Sequence, residues 1–191
     1  MLPAMKPSRS VSAQEVRALA HPLRLRMLEA LRDGPQTASM LARELGESSG
    51  ATSYHLRALE AAGLIKEDLD LRRGRERWWR DNRTFGLIST APADDAEYEA
   101  AVAQLESVMV NRDEEALSRY TQNRSDFTPE WQETTFIGGW GLYATREEVE
   151  ELSAFVVEWM RARRLPPEQR PPGSTFVHLT YRVLPQRPPG N

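Results

Sequence analysis

The sequence predicts an α+β chain in three parts: an N-terminal helical head closed by a β-hairpin, one long helix, and a small C-terminal α+β module. Three observations carry this. Apolar residues recur at helical spacing in short runs up to Gly63. The period then becomes strand-like on either side of Leu71-Arg72-Arg73-Gly74-Arg75. A later run, from Asp94 to about Arg119, keeps helical spacing longer than any other. The boundaries read as a flexible tail over 1–11, the head over 12–90, a linker and long helix over 91–126, the α+β module over 127–185, and a second tail over 186–191.

Met1–Ser10 holds Pro3 and Pro7 and little that could be buried. Ser12-Ala13-Gln14-Glu15 is a capping-box pattern that opens a helix through Val16, Leu19 and Ala20. Pro22 suits the first turn of a second helix, where its missing N–H costs nothing. Leu23, Met27, Leu28 and Leu31 continue that helix to Gly34-Pro35. Thr37 caps a third helix carrying Leu41 and Leu45, and Gly46 follows where a left-handed residue is wanted. Ser48, Ser49 and Gly50 open a fourth, with Leu56 and Leu59 on one side and Thr52, Ser53, Tyr54, His55 and Arg57 between them. Two short helices joined by a tight turn, the second showing hydrogen-bonding groups, form a helix-turn-helix that reads DNA from the major groove.

After Gly63, the runs Leu64–Asp70 and Glu76–Arg80 pair as a hairpin, and its tip carries Arg72, Arg73 and Arg75. A hairpin directly after a helix-turn-helix is a wing. Phosphate binding needs cations on a protruding element.

Three segments in order, Ala20-His21-Pro22-Leu23-Arg24-Leu25-Arg26-Met27-Leu28, Ser53-Tyr54-His55-Leu56-Arg57-Ala58-Leu59-Glu60-Ala61-Ala62-Gly63-Leu64-Ile65 and Arg73-Gly74-Arg75-Glu76-Arg77, resemble the ArsR-type winged helix-turn-helix regulators. The resemblance covers residues 12–90. It implies a homodimer that binds an operator palindrome, often as a repressor released by a ligand. By the same resemblance Ser49, Thr52, Ser53, Tyr54, His55 and Arg57 face the major groove. Arg72, Arg73 and Arg75 then lie along the backbone or minor groove. The chain departs from the family's metal sensors. It has no cysteine, and its three histidines, His21, His55 and His178, fall in different elements. Zinc needs three or four ligands converging at about 2.0–2.3 Å, so no metal and no cofactor is expected.

On the long helix Tyr98, Val102, Leu105, Met109, Arg112 and Ala116 follow a 4-3-4-3-4 spacing. Tyr98, Val102, Leu105 and Met109 are the expected dimerisation residues. Packing within one subunit is the alternative. In the last third, Trp131–Tyr143 has strand-like composition broken by glycines, and Thr145-Arg146-Glu147-Glu148 is a second capping box. Ser174–Leu184 alternates, with Val177, Leu179, Tyr181 and Val183 on one face and His178, Thr180 and Arg182 on the other. Trp131, Phe136, Trp140, Phe155 and Trp159 either line an apolar pocket for a small-molecule effector or form the module's core.

Charge and composition bound the function. The 191 residues are 28% charged and 40% hydrophobic, ordinary for a globular protein that works in the cytoplasm, and no apolar run is long enough to span a membrane. Residues 1–90 carry 15 Lys and Arg against 11 Asp and Glu, whereas residues 91–191 carry 10 against 17. Only the first half is suited to an anion. No phosphate loop, nucleophile elbow or metal-ligand spacing is present, so no enzymatic activity is expected. The expected function is a DNA-binding transcriptional regulator, a repressor acting as a homodimer on a palindromic operator. Its partners are double-stranded DNA, a second copy and a small-molecule effector. The rival reading is a winged-helix interaction module whose acidic C-terminal half docks a partner protein.

Overall fold

The computed structural model describes residues 11–71, 76–82 and 95–186. Seven α-helices and three short strands run along these residues: α1 Ala13–Leu19, α2 Pro22–Ala30, β1 Gln36–Thr37, α3 Ala38–Leu45, α4 Ser49–Ala61, β2 Ile65–Glu67, β3 Trp78–Asp81, α5 Ala96–Gln122, α6 Pro129–Thr134 and α7 Arg146–Ala162. The strands form one antiparallel sheet in the order β1-β3-β2, with Lys66 opposite Arg80 and Gln36 opposite Trp79.

The local signals act as expected at the helix starts. Ser12 accepts the Glu15 amide while the Glu15 carboxylate takes the Ser12 amide at 2.9 Å. This is why Glu15 can be buried: the charge is held by hydrogen bonds rather than left in a dry site. Pro22 occupies the first turn of α2. Thr37 caps α3, and Gly46, at φ +71°, ends it in the left-handed region that a side chain would resist. Strand β1 is not legible in the sequence, since two residues carry no periodicity. Thr37 serves both as its last residue and as the α3 cap.

Two cores result. The larger joins Met27, Leu28, Leu41, Leu56, Leu59 and Ile65 under Trp79 of the sheet. The smaller joins Val16 and Ala20 of α1 to Ala101, Val102 and Leu105 of α5, with Tyr98 and Met109 at its margin. The apolar seam of the long helix is therefore covered, over its first half, by α1 of the same chain. Arg112, which interrupts that seam, forms an ion pair with Glu29 of α2. A polar residue sits there because its partner is a carboxylate, not an apolar side chain.

The C-terminal third corrects two expectations. Trp131–Tyr143 is not a strand: Pro129 opens a helical turn through Thr134, and the glycine-broken stretch beyond is irregular. Ser174–Leu184 alternates as predicted but joins no ladder, because no neighbouring strand is present among the described residues to take its backbone groups. Side chains from both of its faces are held. His178 Nε2 lies 2.7 Å from Asp113 of α5, Arg182 pairs with the same carboxylate, and Tyr181 meets Ser153 of α7 at 3.2 Å. Val177 and Leu179, expected inside, face solvent. The second capping box forms as read, Thr145 with Glu148.

Candidate nucleic-acid interface

Helix α4 has two faces. Thr52, Leu56 and Leu59, at i, i+4 and i+7, are buried against α2 and α3. Gly50, Tyr54 and Arg57 lie on the opposite, exposed face with Ser53 half-buried beside them, and Ser49 is exposed in the first turn. Thr52 is a correction: it is 1% exposed and its hydroxyl donates to the Ser48 carbonyl at 2.9 Å. A β-branched hydroxyl can bond back along its own helix and so be buried satisfied, which a polar-residue pattern cannot reveal. Tyr54, 63% exposed, stands out from the helix with no apolar cover.

The start of α4 is also electropositive. Its first backbone N–H groups point out of the turn, Ser48 caps one of them at 3.1 Å, and the peptide dipoles place partial positive charge there. Gly50 leaves that surface bare, since a Cβ there would touch only the Ser48 hydroxyl at 4.0 Å.

His55 is half-buried and built into a cation-rich corner. Arg24 of α2 donates its Nε–H to His55 Nδ1 at 3.4 Å and its Nη1 to the carbonyls of Arg17 and Ala18 at 3.1 and 3.3 Å. The His21 ring lies 4.4 Å from that of His55, and the Tyr54 ring is edge-on at 5.2 Å. Burial, and then the positive neighbours His21 and Arg24, lower the His55 pKa; Glu47 opposes them. Burial and Arg24 lower that of His21 as well. Both imidazoles are thus harder to protonate than free ones. Because a guanidinium only donates, Nδ1 of His55 is the acceptor and its ring proton sits on Nε2. The sequence reading missed Arg24, though the signal was present: an arginine two residues after His21-Pro22, in the segment that carries the family resemblance.

The hairpin base is fixed to α4. Arg77 donates to Glu67 and to Glu60 of α4, each at 2.7 Å, and lies 4.2 Å from the centre of the Trp79 ring. Asn82 donates to the Gly63 carbonyl at 3.0 Å. Arg77 is therefore committed to carboxylates, while the tip arginines Arg72, Arg73 and Arg75 lie outside the described residues. The hairpin is oriented relative to α4 by these bonds.

The other candidate residues fare differently. Val102 and Leu105 are buried against α1, and Tyr98 and Met109 are half-buried. The five aromatic residues read as an effector pocket neither enclose a cavity nor form a core. Trp131, Phe155 and Trp159 are 37–48% exposed and Phe136 and Trp140 about 80%. They fall in α6, α7 and the irregular stretch between, which do not close over them. No group of three or more His, Asp or Glu suited to a metal ion occurs among the described residues.

Residues 19–68 match the family model of a helix-turn-helix domain. That span runs from the end of α1 through α4 and β2, so the model and the two-faced geometry agree on the same element. No curated protein matches the chain. Among solved structures, HlyU from Vibrio cholerae is 21% identical, covering 50% of this chain and 87% of its own at a TM-score of 0.33. A homodimeric winged helix-turn-helix DNA-binding domain from Mycobacterium bovis is 24% identical, covering 55% and 80% at 0.35. An ArsR family transcriptional regulator is 23% identical, covering 53% and 90% at 0.33. The N-terminal segment therefore contains a helix-turn-helix domain, followed by the antiparallel β2–β3 pair.

Proposed function

We propose that this protein is a sequence-specific DNA-binding regulator that works in the cytoplasm as a homodimer on a palindromic operator, as a repressor. The observation that carries the reading is α4: a helix with one face locked in the core by Leu56 and Leu59 and the other presenting Ser53, Tyr54 and Arg57, with Ser49 exposed in its first turn. Base edges are read by these side chains, and register is set by phosphate contacts from the α4 N-terminus and from Arg72, Arg73 and Arg75. His55, with its proton on Nε2, presents a donor and so suits an acceptor edge such as guanine N7 or O6. A palindrome needs two recognition helices about 34 Å apart, and the α1–α5 layer, with Tyr98 and Met109 at its margin, is the proposed base of the dimer. The domain's family model and the basic N-terminal half support this assignment.

The test is a mobility shift with the DNA upstream of the protein's own gene, run at low and at physiological salt. A discrete shifted band that survives competition by random DNA is expected. No shift at low salt, together with a co-purifying protein, would favour the interaction-module reading.

A further inference from the structure

Between residues 127 and 186 one large apolar side chain, Val157, is buried, while much of the remainder is exposed. Ordering sixty residues costs conformational entropy that one buried valine cannot offset. Helix α7 shows the deficit most clearly. Its inner side, through Val149, Ser153, Val157 and Met160, faces the chain. Its outer side carries Leu152, Phe155 and Trp159, at i, i+3 and i+7, exposed by 48, 48 and 43%. An isolated surface helix does not carry a second apolar stripe unless something covers it.

The charges beside the stripe say what covers it. Glu148 and Glu151 precede the apolar residues and Arg163 follows them, whereas Arg146 is paired with Glu147 and Glu150, and Arg161 with Glu158, within the helix itself. Arg163 lies 3.9 Å from the centre of the Trp159 ring, which brings its guanidinium to the edge of the stripe. Now place a second α7 antiparallel across the stripe with the two-fold axis beside Phe155. Phe155 then meets its own equivalent, Leu152 comes within one residue of the partner copy's Trp159 position, and the Glu147–Glu151 end lies opposite the Arg163 end. The acidic end of each helix meets the basic end of the other. A parallel arrangement would set carboxylates against carboxylates. A nucleic acid would meet the acidic end unfavourably. The pattern is self-complementary, as an isologous contact requires.

We propose that the exposed face of α7 pairs antiparallel with α7 of a second copy of this chain, centred on Phe155, and supplies the C-terminal third with the core it lacks. This contact is separate from the α1–α5 layer, and its test does not depend on DNA binding.

The chain has no cysteine, so one introduced thiol reports on one position. Under mild oxidation at micromolar concentration, F155C is expected to form a disulfide-linked dimer as the main species, whereas E130C on the exposed surface of α6 is not. A protein that dimerises only through α5 gives F155C no advantage over E130C, and that result overturns the proposal. Charge exchange provides the second readout. E151R or R163E alone is expected to weaken self-association by roughly tenfold, measured by sedimentation, and E151R/R163E together to restore it. Failure of the double exchange to restore association overturns the antiparallel register even if the chain is dimeric.

Discussion

His55 shows how much one hydrogen bond decides at the interface. Arg24 fixes its Nδ1 as an acceptor, and the same guanidinium holds the last carbonyls of α1. The lowered pKa of His55 and of His21 has a consequence for stability with a definite sign. Unfolded, each imidazole titrates near pH 6.5; folded, each takes its proton at lower pH. Below pH 6.5 the unfolded chain therefore binds more protons than the folded one, and stability falls as pH falls through that window. Thermal melts between pH 5 and 8 should show Tm dropping below about pH 6.5, by less in H55Q than in the wild type. A Tm that rises on acidification contradicts the lowered pKa of the two imidazoles. At the exposed face of α4, Arg57→Ala should cost about 1–3 kcal/mol on the preferred DNA and much less on random DNA. Binding-site selection on both proteins would show whether preference relaxes at one base position.

The recognition helix is an element with a division of labour. Leu56→Ala should destabilise the head by about 2–5 kcal/mol, because Leu56 is enclosed by the larger core and leaves a cavity there. Ser48→Ala should cost about 1 kcal/mol, the worth of an N-cap. Denaturant unfolding measures both, and a larger loss for the cap than for the core leucine would contradict the assignment of faces. Elements with local signals were legible in the sequence for that reason: caps, glycine stops and helical spacing are chemistry within a few residues. Helices α1 to α5, the hairpin strands and the α7 cap follow from such signals. What could not be read depends on contacts that residue type and spacing do not show. Strand β1 exists because β3 lies beside it. Thr52 is buried because its hydroxyl bonds within its own helix. The alternation of Ser174–Leu184 predicts a strand only if a neighbour is at hand, and its polar side was drawn instead to Asp113. The seam of α5 announced a helix partner, and α1 of the same chain takes the part holding Val102 and Leu105.

At the scale of the molecule, the division of charge matches the division of roles. Cations concentrate in the half that carries α4 and the hairpin, and carboxylates in the other. The two halves are nonetheless tied. Arg164 of the C-terminal third pairs with Asp81 of β3, Arg170 reaches Asp33 at 2.6 Å, and Arg17 of α1 pairs with Glu97 of α5. These are mostly surface pairs, worth little each, so they orient the C-terminal third more than they stabilise it. No helix among the described residues is long and apolar enough to cross a membrane. The account as a whole rests on α4 reading DNA while cations outside it bind phosphate. Its most direct test is a fluorescence-anisotropy titration of wild type, Arg57→Ala and Arg73→Ala against a selected duplex and a random duplex over 50–200 mM salt. The account predicts that Arg57→Ala loses affinity mainly on the selected duplex with its salt slope kept, and that Arg73→Ala loses affinity on both with the slope reduced by about 1. Equal losses on both duplexes for both variants, with unchanged slopes, would contradict it.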